Sequence, residues 1–169
     1  MNALIVYESV FGNTEKVACA IGAAIGAAFG SQGKVATLPV SQVTTEKVRG
    51  LDFLVVGSPT RSLRPTEAVA KFLNQLPREY LQGVQVAAFD TRWALDHIDS
   101  GFLRFVVGKG GYAASTIANA LKKKGGNLLA PPEGFFVTGE KGPLKDGELE
   151  RAAEWARQSF QIGQEKAKR

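Results

Sequence analysis

Short apolar runs alternate with segments of helical spacing along the whole chain, and this alternation constrains the fold more than any other feature. Uninterrupted apolar runs are typical of strands that are covered on both faces. The predicted strands are residues 3–7, 34–40, 52–57, 84–89 and 134–138. The predicted helices are residues 13–29, 66–76, 113–124 and 147–166. This order predicts an α/β protein with an open, parallel, five-stranded sheet and helices on both faces.

The length of 169 residues predicts a single domain, residues 1–169, that folds without disulfides or metals. The lone Cys19 suits a reducing compartment, and its place in a helical pattern predicts a small buried side chain. No leader sequence is visible before the first strand, and the uncharged residues 17–30 fall short of the ~20 needed to span a bilayer. We therefore expect a cytoplasmic protein without a membrane span.

The chain carries 21 basic and 16 acidic residues, which gives a formal net charge of +5. Part of this excess lies at residues 122–124, at the end of a predicted helix. Cations there interact favourably with the negative end of the helix dipole. No basic face interleaved with aromatic residues is visible, so the pattern argues against nucleic-acid binding. The charge favours instead a partner with an acidic surface, and the oligomeric state is left open.

The loop after the first strand has the composition of a phosphate-binding site. It leads directly into the first predicted helix, whose N-terminus offers unpaired N–H groups and a partial positive charge to an anion. Ser9 and Thr14 add hydroxyl groups, and Gly12 allows the backbone to come close to the anion. The sequence therefore predicts a cradle for a monophosphate.

This loop resembles the phosphate loop of the flavodoxin-like family, whose pattern is T/S-x-T/S-G-x-T. The residues that carry the resemblance are Ser9, Val10, Phe11, Gly12, Asn13 and Thr14. The first, fourth and sixth positions match, whereas Phe11 replaces the hydroxyl residue at the third. With the alternating strands, the resemblance covers nearly the whole chain. It implies the strand order 2-1-3-4-5 and an FMN held at the carboxyl ends of strands 1, 3 and 4.

Two further loops resemble the segments that flank the flavin ring in this family. The second loop follows strand 3 and contains Pro59, Thr60, Arg61, Ser62 and Leu63. Its Pro-Thr-Arg is similar to that of flavodoxin-like quinone reductases, and Leu63 is its only sizeable apolar residue. The third loop follows strand 4 and contains Asp90, Thr91, Arg92 and Trp93. Trp93 has two interpretations, a residue that stacks on the flavin or a partly buried packing aromatic.

The resemblance implies an electron carrier with a redox partner protein, and two alternatives stay open. One is an FMN-dependent NAD(P)H:quinone-type oxidoreductase, favoured by the Pro-Thr-Arg segment and by the irregular residues 90–111. The other is a flavin-free interaction module, favoured by Phe11 and by the missing aromatic in the second loop. We identify no catalytic residue and no set of metal ligands. His97, the only histidine, has no neighbouring partner for a metal.

The charges in the two ring-flanking loops predict the direction in which the reduction potential of a bound flavin would shift. A flavin supplies its own redox chemistry, and the protein supplies binding, orientation and electrostatics. Arg61, Arg64 and Arg92 lie in these loops, and only Glu67 and Asp90 offset them nearby. A cation a few ångströms from the ring favours the reduced form by about 1–4 kcal/mol. We therefore expect a less negative reduction potential than that of acidic flavodoxins.

Overall fold

The computed structural model describes residues 1–93 and 112–167. Its strands are β1 (Asn2–Tyr7), β2 (Lys34–Pro39), β3 (Phe53–Pro59), β4 (Gln85–Trp93), β5 (Asn127–Leu128) and β6 (Glu133–Val137). Its α-helices are α1 (Asn13–Phe29), α2 (Glu67–Gln75), α3 (Ala113–Lys123) and α4 (Glu148–Ala167). Single 3₁₀ turns occupy Gly30–Gln32, Val40–Gln42 and Thr45–Val48. His97 and most of the irregular stretch predicted at residues 90–111 lie outside the described residues.

The six strands form one parallel sheet in the predicted order. The path runs β2-β1-β3-β4-β5, and β6 also pairs with β4. β5 pairs with the first residues of β4 and β6 with the last, so these two short strands share the fifth position. Pro131 and Pro132 lie between them, and proline has no N–H group to donate to a sheet. The predicted order 2-1-3-4-5 is confirmed, with a fifth strand that the two prolines divide.

The core has two layers because alternate residues of each strand point to opposite faces of the sheet. Ile5 and Val55 are buried on one side together with residues of α1 and α4. Leu4 and Leu54 are buried on the other side together with residues of α2 and α3. The predicted cover of helices on both faces is therefore confirmed.

Helix α1 lies close to the sheet at Gly22, where an added Cβ would collide with the hydroxyl of Thr37. The predicted burial of Cys19 is wrong, because the side chain is exposed. Cys19 lies two residues after the buried Val17, which is a rotation of about 200° around the helix.

No helix in residues 1–93 and 112–167 combines the length and the apolar character that crossing a membrane requires. This finding concerns the helices that the structure describes and leaves the rest of the chain aside.

Strands β3 and β4 extend further than predicted, and this places part of the site on the sheet. Ser58 and Pro59 belong to β3, whereas the predicted strand ended at residue 57. Residues 90–93 belong to β4, where a loop was expected, because they pair with both Ser58-Pro59 and β6. Pairing with two neighbouring strands outweighs the weak local preference of these residues.

An ionic cluster joins the start of α4 to β6. The buried carboxylate of Glu148 accepts hydrogen bonds from the backbone N–H of Phe136 at 2.7 Å and from Arg151 Nη2 at 2.6 Å. Burial by itself raises the pKa of Glu148, but the Arg151 guanidinium and the Phe136 N–H outweigh it, so the pKa is lowered. A lowered pKa adds stability above the pKa of the unfolded chain, and this stability is lost as pH falls through the folded value.

We expect the substitution Glu148→Gln to lower the free energy of unfolding by about 1–3 kcal/mol at pH 7, because a charged hydrogen-bond acceptor is lost. The difference from the parent protein should be smaller at pH 3, because the stability that the lowered pKa of Glu148 contributes declines once the pH falls below the pKa of the unfolded chain. Urea unfolding at the two pH values measures it. The exposed neighbour Glu150 provides the control Glu150→Gln, which should change little. An equal loss at both pH values would contradict the role of the charge.

Candidate functional site

A cavity of about 600 Å³ opens at the carboxyl ends of the central strands. Twelve of the fifteen residues that the sequence predicted to bind a cofactor line it, from all three predicted segments. The three that do not are Ser9, Gly12 and Asp90. The structure adds Tyr112 and two residues that follow or end β6, Val137 and Glu140. Parallel strands end together at one edge, and this is why segments distant in sequence meet here.

The first segment turns at Gly12 and exposes the start of α1. Gly12 has φ +86°, a left-handed conformation that side chains rarely adopt, and it stands immediately before the helix. Within the part of the chain that the structure describes, the backbone N–H groups of Phe11, Gly12, Asn13 and Thr14 donate to no acceptor. Adjacent unpaired N–H groups at a helix N-terminus form an anion-binding concavity.

The hydroxyl groups of this segment have different roles. Ser9 Oγ accepts a hydrogen bond from the N–H of Glu15 at 3.3 Å. It therefore stabilises the first turn of α1 and does not line the cavity. Thr14 is buried and lines the cavity, and its Oγ1 lies 2.9 Å from Thr91 Oγ1. One hydrogen suffices for that bond, so one of the two hydroxyl hydrogens is left to donate elsewhere.

The side chain of Asn13 fixes the loop after β6 against the start of α1. Its Nδ2 donates to the carbonyl oxygen of Lys141 at 3.0 Å, and Asn13 is almost fully buried. An added Cβ at Gly142 would overlap the Asn13 amide at 2.5 Å, so the loop fits here only with glycine. This contact holds the neighbouring Glu140 at the cavity.

The second segment contains a two-residue hairpin with a strained backbone. Arg61 and Arg64 exchange two backbone hydrogen bonds of 2.9 Å, and the residues between them, Ser62 and Leu63, have φ of 48° and 65°. Positive φ at both central positions is the pattern of a type I′ turn, which favours Asn-Gly. Each such residue costs about 1–3 kcal/mol, and strain of this kind is concentrated at functional sites.

We expect the double substitution Ser62→Asn with Leu63→Gly to raise the free energy of unfolding by about 1 kcal/mol, because both residues tolerate positive φ. The same change removes the Leu63 side chain from the cavity wall and should weaken ligand binding about tenfold. Thermal unfolding and FMN titration measure the two effects. Ser62→Asn alone keeps Leu63 in the cavity wall and is the control, which should bind FMN more tightly than the double variant. A double variant that is less stable than the parent would contradict the strain.

The third segment differs most from its prediction, because Asp90 does not line the cavity. Its side chain is fully buried, and its two oxygens accept Arg92 Nε at 2.5 Å and Arg92 Nη2 at 2.8 Å. Asp90 Oδ2 also accepts the N–H of Ala114 at 2.8 Å, in the first turn of α3. Burial raises the pKa of Asp90, and the Arg92 guanidinium and the Ala114 N–H limit this rise. Both oxygens face N–H donors, and this arrangement fits the carboxylate.

Arg92 faces the cavity as half of an ion pair and not as an isolated cation. Its guanidinium carbon lies 3.5 Å from the centre of the Tyr112 ring, within the range of a cation–π contact. Arg64 does not line the cavity, so Arg61 and Glu140 are its remaining charged residues among those described. Of the three arginines that the sequence placed around a flavin, Arg64 therefore lies outside the cavity lining and Arg92 is paired, whereas the expected reduction potential stays a prediction.

Large apolar side chains that are exposed gather around this cavity. Val10 is 45% exposed, Phe11 43% and Trp93 48%, and all three line the cavity. Exposed apolar residues that occur together mark contact sites for ligands or proteins. Trp93 is thus half-exposed at the cavity, and both of its interpretations, stacking on a flavin or partly buried packing, stay predictions.

Three cavity residues were missed at the sequence level. Val137 ends β6, and the rule that ligands bind beyond the carboxyl ends of strands could have indicated it. Glu140 lies three residues further on and depends on the Asn13 contact. Tyr112 directly precedes α3 and carries no local signal, since only the fold places its ring beside Arg92.

Comparisons with known proteins rest on structure alone. No model of a protein family matches the chain, and no curated protein matches its sequence. A flavodoxin from the domain Archaea has 22% identity and a TM-score of 0.72, over 96% of this chain and 99% of that one. Flavodoxin 2 of Bacillus cereus has 19% identity and a TM-score of 0.73, over 95% and 99%. The chain has a flavodoxin-like fold.

The flavodoxin-like fold also occurs as one part of a larger protein. The rubredoxin oxygen:oxidoreductase of Desulfovibrio gigas has 18% identity and a TM-score of 0.70, over 98% of this chain but 37% of that one. With identities of 22% or less, these matches establish the flavodoxin-like fold and not an activity.

Proposed function

We propose that the chain binds FMN in the cavity and carries electrons between redox partners. The observation that carries this proposal is the set of N–H groups from Phe11 to Thr14, which donate to no acceptor among the described residues and adjoin the cavity of about 600 Å³. An anion-binding cradle next to a mostly apolar cleft suits a ligand with a phosphate at one end and an aromatic ring at the other.

The chemical groups that line the cavity match the two ends of FMN, its phosphate and its ring. The backbone N–H groups at the start of α1 bind the phosphate, together with the hydroxyl hydrogen that the Thr14–Thr91 pair leaves available. Leu63 of the second segment and Trp93 of the third provide apolar contact for the ring. When bound, FMN supplies the redox chemistry, whereas the chain binds it, orients it and limits its contact with water.

An electron carrier needs a surface on which a partner can approach the cofactor. The exposed side chains of Val10, Phe11 and Trp93 surround the cavity and suit such a contact. The net charge of +5 and the exposed Arg61 favour an acidic partner, because opposite charges speed association and fix orientation.

A second candidate is an FMN-dependent oxidoreductase that reduces quinones with NAD(P)H. One observation favours it: the segment Pro59-Thr60-Arg61, which is similar to one in flavodoxin-like quinone reductases, lines the cavity. An enzyme of this kind turns over NAD(P)H with a quinone in the steady state, and a carrier does not without a separate reductase.

The proposal is tested by adding excess FMN to the purified protein, desalting it and recording the visible spectrum. We expect flavin absorbance to stay with the protein in a ratio near one to one, because the phosphate and the ring are both held. Riboflavin, which lacks the phosphate, is the matched control and should be lost. Equal loss of both would overturn FMN binding and favour the flavin-free interaction module, whereas rapid NAD(P)H–quinone turnover would favour the enzyme.

A further inference from the structure

Arg92 and Tyr112 form one wall of the cavity. The carboxylate of Asp90 holds this wall in place, although Asp90 itself does not line the cavity. Asp90 binds both the Nε and the Nη2 of Arg92, in the two-pronged geometry that fixes a guanidinium most firmly. The outer side of the guanidinium lies on the Tyr112 ring at 3.5 Å. Arg92 and Tyr112 both line the cavity, whereas Asp90 is fully buried.

The neighbouring strand leaves space for this arrangement. Gly134 of β6 is the pairing partner of Asp90, and an added Cβ at Gly134 would overlap the guanidinium of Arg92. The Arg92 side chain therefore folds back over Gly134 toward its own strand. The backbone N–H of Ala114 supplies a third donor to Asp90, which holds the carboxylate in place from α3. Two strands and one helix thus determine the position of a single guanidinium.

We propose that Asp90 is a positioning residue that clamps Arg92 flat against Tyr112 and cancels its charge, so that a bound flavin meets a planar and electrically neutral wall. This inference rests on the proposed binding of FMN. It reverses the sequence-based expectation for Arg92, because a cation paired at 2.5 Å contributes little net field at a ring beyond it. A rigid planar wall also lowers the entropy lost on binding.

Two single variants and their double variant, each with FMN bound, test this inference through the midpoint potential of the FMN. Asp90→Asn leaves the cation of Arg92 uncompensated, and we expect reduced FMN to gain at least tenfold in affinity over oxidised FMN. That gain is a shift of about +30 mV in the two-electron potential. Arg92→Gln leaves the buried Asp90 carboxyl without its cation, and at a pH above the raised pKa of Asp90 its charge should shift the potential in the opposite direction. The double variant Asp90→Asn with Arg92→Gln is neutral again and should return to the parent value.

A structural role alone would not give opposite signs in the two single variants or their cancellation in the double variant. Potentials that shift in the same direction in all three variants, or in none, would overturn the inference. If Asp90→Asn does not fold, Arg92→Gln still has to shift the potential to a more negative value.

A second readout needs no flavin and separates this inference from the proposed function. Burial raises the pKa of Tyr112, the Arg92 charge opposes this, and the Asp90 charge adds to it. In the flavin-free protein we therefore expect the phenol of Tyr112 to titrate at lower pH in Asp90→Asn and at higher pH in Arg92→Gln. Absorbance difference titration against Tyr112→Phe measures it. If the protein does not bind FMN but the Tyr112 titration shifts as expected in both variants, only the proposed function is refuted. If the Tyr112 titration is unchanged, the positioning of Arg92 by Asp90 is refuted.

Discussion

FMN is expected to bind about 1,000-fold more weakly when Gly12 is replaced by aspartate than when it is replaced by asparagine. Both residues tolerate the left-handed conformation at φ +86°, and no atom lies within 4 Å of an added Cβ. They differ only in charge at the start of α1. A carboxylate about 5 Å from a phosphate repels each of its charges by about 3 kcal/mol at an effective dielectric constant near 20.

The comparison excludes an effect through unfolding, because an acidic residue at a helix N-terminus stabilises the helix by about 0.3–1 kcal/mol. The Gly12→Asp protein should therefore unfold at a temperature equal to or above that of Gly12→Asn. Isothermal titration with FMN gives the two dissociation constants. Equal constants for the two variants would show that the phosphate does not bind at the start of α1.

Replacing Asp90 with alanine is expected to lower the free energy of unfolding by about 3–5 kcal/mol, because it leaves the Arg92 charge partly buried without its counter-ion. The N–H of Ala114 also loses its acceptor. Such a loss is a large fraction of the roughly 5–15 kcal/mol that stabilises a typical domain. Urea unfolding followed by circular dichroism measures it.

The matched variant adds Arg92→Met to Asp90→Ala, which removes both charges and keeps an unbranched apolar side chain over Gly134. This double variant should recover at least about 2 kcal/mol of the loss, because a buried ion pair and an apolar pair differ little in stability. Asp52→Ala, which removes an exposed carboxylate, is a second control and should cost far less. A double variant as unstable as Asp90→Ala would show that the loss comes from packing and not from the unpaired charge.

The part of the site that is formed by the first strand, loop and helix could be predicted, because the residues that indicate it are neighbours in the sequence. The apolar run of β1, the loop from Ser9 to Thr14 and the helix after it are contiguous, so periodicity and glycine alone indicate a strand, a turn and a helix N-terminus. The structure agrees on the boundaries of β1 and α1 within one residue. Twelve predicted residues meet at one cavity because the strand order that the resemblance implied is the observed one.

The roles of single side chains at this site could not be predicted in the same way. Ser9 was expected to face a ligand and instead accepts the N–H of Glu15. Asp90 was expected in a loop and is a buried counter-ion on a strand. Hydrogen bonds and ion pairs depend on which groups the fold brings within about 3 Å, and sequence spacing does not contain those distances.

The sequence by itself determined the class of the fold and the turn that leads from β1 into α1, because strand and helix periods and turn residues act over neighbouring positions. The order of the strands came from the resemblance to the flavodoxin-like family. Only the tertiary structure decided how far β3 and β4 extend, that β5 and β6 share one edge position, and that Arg92 stands between Asp90 and Tyr112. These features arise from pairing and burial between segments far apart in the chain. Their energies outweigh the local preferences of the residues involved.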